Sequence, residues 1–350
     1  MKHKEATLLL LVLFFAPLVL SWTTVPVKAQ VQPIHKVAVS VPSLAGIVKE
    51  IGGALVSISI LLEQQTDPHA FTVNPAIIAA AEAADLLVFT GHFHWEKDIA
   101  NQTAKPFISF QDEDAWEQYE NFGAGLSPLP GGIEFEGTGG NPHAYWLLPK
   151  NAIAIANATR AALSVLNSTL SDSWSSNFDS FTQKMDNLQS LVESLDEIHS
   201  YSDMRAIVVS PAEAYVAETF GIPCDAVLQV EDITISGAKL LEVQTALRNG
   251  TVELILGSDV SQFKAGGEYA YQLQEDYGGT LIWWQTIFYP ESDYFSMMTF
   301  NLGALVSGIE GRSGGIVNES VNIGLIALIS VLGIIIIIET ILLIQRARAE

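Results

Sequence analysis

One nine-residue pattern occurs twice in the chain, at residues 67–75 and 141–149, and each copy contains one histidine. Both copies begin Asp/Asn-Pro-His-Ala-aromatic and end with a second proline. The first proline restricts the residue before it to extended backbone, and the second suits the first position of a helix. Each copy therefore predicts a short, stiff loop that enters a helix and holds one imidazole, that of His69 or His143, in a fixed direction.

Two imidazoles held in this way indicate half of a transition-metal site, because neutral imidazole is the commonest metal ligand in proteins. A single Pro-His loop is more often only a turn, so it is the repetition that favours a site.

The net charge of −22, from 39 acidic and 17 basic residues, argues against nucleic acid and anionic lipid surfaces as partners. It is compatible with a cation as the ligand.

The beginning of the chain, residues 1–29, has the pattern of a secretory signal peptide. Lys2 and Lys4 precede an apolar run over residues 6–22, and small residues before Gln30 offer a cleavage site. An exported domain fits the Asn-x-Ser/Thr sequons, which predict a glycoprotein. These sequons lie at Asn101, Asn157, Asn167, Asn249 and Asn318.

The other end of the chain predicts a membrane anchor. Residues 323–344 contain one charged side chain, and at 1.5 Å per residue they span about 33 Å, enough for a bilayer core. Arg346 and Arg348 follow, so the positive-inside rule places residues 345–350 in the cytoplasm and the main domain outside the cell. Residues 311–322 form the predicted linker between that domain and the transmembrane helix.

The exported part has three regions, which predict an α/β fold. Residues 30–150 and 201–310 each alternate strand-like and helix-like runs, whereas residues 151–200 lack proline and glycine and have helical periodicity. We therefore expect two parallel-sheet α/β lobes joined by a long backbone helix, with a ligand cleft between them near the strand ends.

Residues 111–140 are rich in Asp and Glu and are expected to form a long acidic loop. The sole cysteine, Cys224, is expected to be a buried apolar residue.

Over residues 35–309, the chain resembles the metal-binding substrate-binding proteins of ABC importers for zinc and manganese, which have a helical backbone between two lobes. Besides the two Pro-His motifs, the resemblance is carried by segments spread over both predicted lobes. These segments are Ser40-Val41-Pro42, Ile47-Val48-Lys49-Glu50-Ile51-Gly52-Gly53, Ala84-Asp85-Leu86-Leu87-Val88, Tyr215-Val216-Ala217-Glu218-Thr219-Phe220-Gly221 and Tyr294-Phe295-Ser296-Met297-Met298-Thr299-Phe300-Asn301-Leu302.

The resemblance implies that His69 and His143 are the first two metal ligands. The third ligand position of the family falls on Ser210, and serine is a poor ligand. Glu213 lies one helical turn further along and could project to the same side, so it is a candidate replacement.

The fourth ligand position of the family, an aspartate, falls on Ser292, and a shift of one residue would supply Asp293 instead. A further candidate comes from the Gly-His-Phe-His segment after a predicted strand. If that segment is extended, the rings of His92 and His94 share one face, and His94 is the favoured replacement for the lost third ligand. The alternative is that these histidines are simply packed or hydrogen-bonded.

The function that this resemblance implies is a membrane-anchored extracellular receptor that captures Zn²⁺ or Mn²⁺. It would pass the ion to a membrane permease powered by a cytoplasmic ATPase. Mixed nitrogen and oxygen ligands suit either metal, and the acidic segment stands where zinc-specific relatives often carry a histidine-rich loop.

Three other interpretations remain open at this point. A surface metallohydrolase would need an open metal position and a base such as Glu213, but no His-Glu-x-x-His run or nucleophile elbow is present, so we expect no enzyme activity. An adhesin could retain the fold with a degenerate site. A binder of metal chelates would not need the Pro-His pair.

Overall fold

The computed structural model describes residues 32–62, 66–132, 139–231, 233–288 and 293–313. The predicted signal peptide, the transmembrane helix, the cytoplasmic tail and most of the linker lie outside these residues. Within them, no helix combines the length and the apolar character needed to cross a membrane.

The N-terminal lobe is built on a parallel sheet. Its strands are β1 (His35–Val39), β2 (Val56–Ile60), β3 (Leu86–Val88), β4 (Phe107–Ser109) and β5 (Glu117–Gln118), and its helices are α1 (Pro42–Gly52), α2 (Pro75–Glu82) and α3 (His94–Thr103). The strand order is β2-β1-β3-β4-β5, with every pair parallel. Strands β3 and β4 are buried along their whole length because both faces of the sheet are covered.

Two long helices connect the lobes, α4 (Pro149–Leu166) and α5 (Ser171–His199). The 29 residues of α5 extend for about 43 Å. Its buried side chains are three, four or seven residues apart, so they lie along one face of the helix. They are Trp174, Phe181, Met185, Leu188 and Val192. This face packs the helix against α1 and α4.

The C-terminal lobe repeats the architecture. Its strands are β6 (Ala206–Val208), β7 (Cys224–Val227), β8 (Gln229–Val230), β9 (Ile233–Thr234), β10 (Leu254–Ser258) and β11 (Thr280–Trp284), and its helices are α6 (Glu213–Thr219), α7 (Gly237–Arg248), α8 (Ala265–Tyr277) and α9 (Tyr294–Ser313). The main sheet is parallel in the order β11-β10-β6-β7, and β8 and β9 form a small antiparallel pair. The predicted α/β fold of two parallel-sheet lobes with connecting helices is confirmed.

The predicted acidic loop is the main difference between the sequence analysis and the fold. Part of it is ordered into the sheet, because Ile108 pairs with Glu117 and the edge strand β5 is added there. The buried hydroxyl of Tyr119 then donates a hydrogen bond to the carbonyl oxygen of Phe89 over 2.8 Å. Charge is also offset locally, since Lys97 contacts the carboxylate of Asp112 at 2.9 Å.

The site is positioned by the ends of the parallel strands. Loops that follow β3, β6, β10 and β11, together with the two Pro-His loops, line a single cavity between the lobes. This is the location that the strand-end rule for α/β folds predicts for a ligand.

Candidate metal centre

His69 lies on a loop that its own motif rigidifies. The backbone N–H of His69 donates to Asp67 Oδ1 at 3.0 Å, and the indole N–H of Trp95 donates to the carbonyl oxygen of Pro68 at 2.9 Å. Asn74 then caps α2 by accepting from the first two free backbone N–H groups of the helix. The first Pro-His motif therefore forms the stiff loop and helix start that its sequence predicts.

His143 is oriented by Asn141 of the second motif. Asn141 Oδ1 accepts from the backbone N–H of His143 at 3.0 Å and lies 3.1 Å from its ring Nδ1, while Asn141 Nδ2 donates to the carbonyl oxygen of Pro211 at 2.8 Å. Because an amide oxygen only accepts, this network places a proton on Nδ1 and leaves the Nε2 lone pair for a metal. A hydrogen bond from the second ring nitrogen is the usual support of a metal-ligating histidine.

His92 is the third histidine of the cavity, and the residue before it fixes its loop. Gly91 has a φ of +76°, and a Cβ there would lie 2.3 Å from the carbonyl oxygen of Phe110, so only glycine fits this close approach. Among the described residues, the Nε2 atom of His92 is buried and has no hydrogen-bond partner. A metal ion would supply the missing partner.

The three imidazoles form one cluster. One ring nitrogen from each of His69, His92 and His143 lies within 4.8 Å of the other two. The ring centroids are 4.9 Å apart for His69 and His92, 5.4 Å for His69 and His143, and 4.5 Å for His92 and His143. Around a tetrahedral zinc with Zn–N bonds of about 2.0–2.1 Å, ligand nitrogens are about 3.4 Å apart, so a modest contraction would complete the site.

Burial disfavours protonation of His92 and His143. It lowers the pKa of His92 to about 3, with a smaller contribution from His69, and it holds the pKa of His143 well below its usual range. Metal ligation requires the unprotonated imidazole, which the lowered pKa values of His92 and His143 favour.

The C-terminal lobe closes the cavity with hydroxyls and one ammonium group. Ser210, Ser261 and Lys264 line it opposite the histidines, and the cavity has a volume of about 60 Å³. Lys264 Nζ lies 2.9 Å from the carboxylate of Asp67, so an ion pair joins the lobes beside the His69 loop. Partial burial raises the pKa of Asp67, but the hydrogen bonds from Lys264 and from the His69 N–H outweigh this, and the net pKa is lowered.

His94 does not join the cluster, contrary to the prediction. The segment is extended only up to Phe93, and His94 is the exposed first residue of α3. Because the helix turns the chain at this point, the two rings of the His-x-His segment do not share a face. His92 lies in the position that the prediction gave to His94.

Glu213 and Asp293, the two predicted carboxylate ligands, also lie outside the cluster. Glu213 is fully buried behind the cavity wall, where Ser210 and Ser261 donate to it. Asp293 accepts from Phe295 and Ser296 near the start of α9 and borders a surface depression beside α5. Ser292, the position implied by the resemblance, lies outside the described residues.

The sequence did contain a signal for His92. A glycine-histidine pair directly after a buried strand is typical of a tight turn at a strand end, and strand ends line the cleft in this fold. The period-two interpretation of the segment favoured His94 because it continued the extended backbone to His94, where α3 begins.

The comparisons with known proteins agree with this architecture. The family model described as ZnuA, zinc-uptake complex component A, periplasmic, matches residues 37–308. Among curated proteins, no match was found.

Solved structures with the same fold include three metal-binding proteins. A crystal structure of ZnuA has 19% identity and a TM-score of 0.62, covering 79% of this chain and 99% of its own. FpvC from Pseudomonas aeruginosa in complex with Mn²⁺ has 18% identity and a TM-score of 0.61, with the same coverage of 79% and 99%. The Mn-bound periplasmic metal-binding protein of Candidatus Liberibacter asiaticus has 18% identity and a TM-score of 0.60, again covering 79% and 99%.

Proposed function

Because the chain belongs to the ZnuA family of periplasmic zinc-uptake components, we propose that it is a receptor that binds a divalent transition metal at His69, His92 and His143 for an ABC importer. The observation that carries this proposal is the cluster of three ring nitrogens within 4.8 Å of one another. The metal is the cargo, and the permease and its ATPase are the partners that would receive it.

The donor set favours Zn²⁺ over Mn²⁺ as the cargo. Three neutral imidazoles with one open position are a common tetrahedral zinc arrangement, whereas Mn²⁺ prefers carboxylate, carbonyl and water oxygens. In the described part of the chain, the clustered ligands are three histidines and no carboxylate. The order of intrinsic affinities acts in the same direction.

The size of the cavity argues against a metal chelate as the cargo. Sites for organic ligands usually enclose about 300–1,000 Å³. The cavity here has about 60 Å³, which is room for an ion and a small co-ligand. The assembled histidine cluster also disfavours an adhesin with a degenerate site, since a degenerate site has no need of three oriented imidazoles.

The first test is a competition titration of the purified full-length chain, in detergent, with Zn²⁺ and Mn²⁺. We expect one equivalent of Zn²⁺ to bind at least 100-fold more tightly than Mn²⁺. His94→Ala is the matched control for His92→Ala, because the two residues belong to the same short segment. Equal binding by wild type and His92→Ala would overturn the assignment of the site.

We also propose that residues 323–344 anchor the receptor in the cell membrane with its two lobes outside. The support is their hydropathy and the arginines that follow them. Cells expressing the full chain should retain the receptor in membranes after alkaline washing, and a version ending at residue 322 should be released. Release of both versions would contradict the anchor.

A further inference from the structure

Two glutamates that do not belong to the ligand cluster are buried, one in each lobe. Glu96 has 2% of its surface exposed and Glu213 has none. Among the described residues, neither carboxylate has a lysine, arginine or histidine within ion-pair distance. A buried carboxylate without a cationic partner is costly, so the presence of two near one cavity calls for an explanation.

Glu96 holds the loop that carries His92. Its carboxylate accepts from the backbone N–H groups of Thr90 at 2.7 Å, Gly91 at 2.9 Å and Phe93 at 3.3 Å, and also from the Thr90 hydroxyl. Two of these donors are the immediate neighbours of His92. The carboxylate therefore fixes the backbone on both sides of the ligand.

Glu213 plays the corresponding part in the C-terminal lobe. One carboxylate oxygen accepts from the N–H and the hydroxyl of Ser210, each at 2.7 Å, and the other accepts from the hydroxyl of Ser261 at 2.6 Å. Both serines line the cavity. The carboxylate is thus separated from the cavity by a single layer of hydroxyl groups.

Among the described residues, the histidine cluster includes no carboxylate that would offset the charge of a bound dication. Three neutral imidazoles leave the full charge of the ion, and the carboxylate of Asp67 is already paired with Lys264. Burial raises the pKa of both Glu96 and Glu213, which shows the cost of an isolated negative charge at each position. A dication in the cavity would offset that cost.

We propose that Glu96 and Glu213 are a pair of non-ligating carboxylates, one in each lobe, that position the cavity walls and neutralise the bound dication. The inference rests on the proposed function. It assigns to each glutamate a structural part, which acts through hydrogen bonds, and an electrostatic part, which depends on the charge of the ion.

Ions of different charge distinguish the structural role of each glutamate from its electrostatic role. Coulomb energy scales with the product of the charges, so loss of one negative charge should change the binding free energy of a monovalent ion half as much as that of Zn²⁺. Loss of loop positioning should weaken both ions equally. Cu⁺, held reduced without oxygen, is a suitable monovalent probe because it also takes imidazole ligands.

The experiment measures the Kd of the full-length chain for Zn²⁺ and Cu⁺ in wild type, Glu96→Gln and Glu213→Gln. We expect each substitution to raise the Kd for Zn²⁺ at least 10-fold and the Kd for Cu⁺ by about the square root of that factor. Glu218→Gln, on the same helix as Glu213 but exposed, should change neither Kd. Equal losses for both ions, or no loss for either, would overturn the proposal.

Conservative variants keep the test decisive if a glutamine variant does not fold. Glu96→Asp and Glu213→Asp retain the charge but shorten the side chain, so they should raise the Kd for Zn²⁺ and the Kd for Cu⁺ by the same factor. A selective loss of Zn²⁺ in either aspartate variant would contradict the proposal. Failure of wild type to bind, or wild-type affinity in His92→Ala, would overturn the proposed function itself, whereas failure confined to the glutamate variants would overturn only this inference.

Discussion

The two lobes contain the same arrangement of strand, loop and buried glutamate, but the loop presents a different residue in each lobe. In each, a parallel strand runs into a loop, and a buried glutamate at the start of the next helix holds that loop through hydrogen bonds. In the N-terminal lobe the loop presents His92, and in the C-terminal lobe it presents Ser210. The comparison indicates that the scaffold of a strand-end site is separable from the side chain that it presents, because the glutamate-held loop is retained while the presented residue differs.

The largest effect should come from His92→Ala, which removes a ligand from the N-terminal lobe. We expect the Zn²⁺ affinity to fall at least 100-fold, because two imidazoles remain where three enclose the ion. Ser210→Ala, at the corresponding loop of the C-terminal lobe, should lower the affinity less than 5-fold. Isothermal titration with a competing chelator measures both changes. A comparable loss in Ser210→Ala would mean that the lobes share the coordination.

The second effect concerns the orientation of a ligand ring. Asn141→Ala removes the acceptor that fixes the Nδ1 proton of His143, and loss of such support typically costs 10–100-fold in metal affinity. Asn74→Ala, in the other motif, removes the cap of α2, so it should lower stability by about 1 kcal/mol and leave the metal affinity unchanged. Affinity measurements and thermal unfolding separate the two outcomes. Unchanged affinity in Asn141→Ala would contradict the assigned tautomer.

The third effect compares two glycines with the same backbone angle. Gly91 and Gly250 both have a φ of +76°, but a Cβ at Gly91 would meet the Phe110 carbonyl oxygen at 2.3 Å, whereas a Cβ at Gly250 meets nothing within 4 Å. Gly91→Ala should lower the free energy of unfolding by about 1–3 kcal/mol more than Gly250→Ala, and it alone should weaken metal binding. Chemical denaturation tests this difference, and equal destabilisation would contradict the close approach.

The smallest effect should come from Cys224, which lies in the C-terminal lobe away from the cluster. Cys224→Ser should leave metal affinity unchanged. Burial raises the pKa of the thiol to about 12, so the reactive thiolate is scarce at pH 8 and becomes more abundant as the pH rises. Alkylation of the native protein should therefore be slow at pH 8 and accelerate about tenfold per pH unit. Cys224 is half-buried and not fully buried as the sequence predicted, and rapid alkylation of the native protein at pH 8 would contradict the raised pKa of its thiol.

Much of the fold could be predicted from the sequence, because buried parallel strands are short apolar runs and the Pro-His motifs begin helices. The apolar run over residues 280–283, for example, predicts a strand, and the structure has that strand at Thr280–Trp284. The two motif histidines are brought together by the structure. The third depended on a helix that begins at His94, two residues after the ring that reaches the cavity.

The carboxylates could not be placed from sequence for a different reason. The position of Glu213 is determined by Ser261, which is 48 residues away along the chain, and local spacing contains no information about such a bond. The position of the ring proton of His143 could not be predicted from sequence either, because it depends on the hydrogen bond that Asn141 donates across the cleft to Pro211. The local motifs orient His69 and His143, whereas long-range hydrogen bonds determine where Glu213 lies and how Asn141 is held.

The anchoring of Asn141 has a mechanical consequence. Besides orienting His143, Asn141 donates to the carbonyl of Pro211 and accepts through its own carbonyl from the hydroxyl of Tyr215, both in the C-terminal lobe. A displacement of that lobe would therefore move Asn141, which orients the imidazole of His143. Movement of the C-terminal lobe would be transmitted to the ring of His143 through Asn141, and to the His69 loop through the ion pair of Lys264 with Asp67.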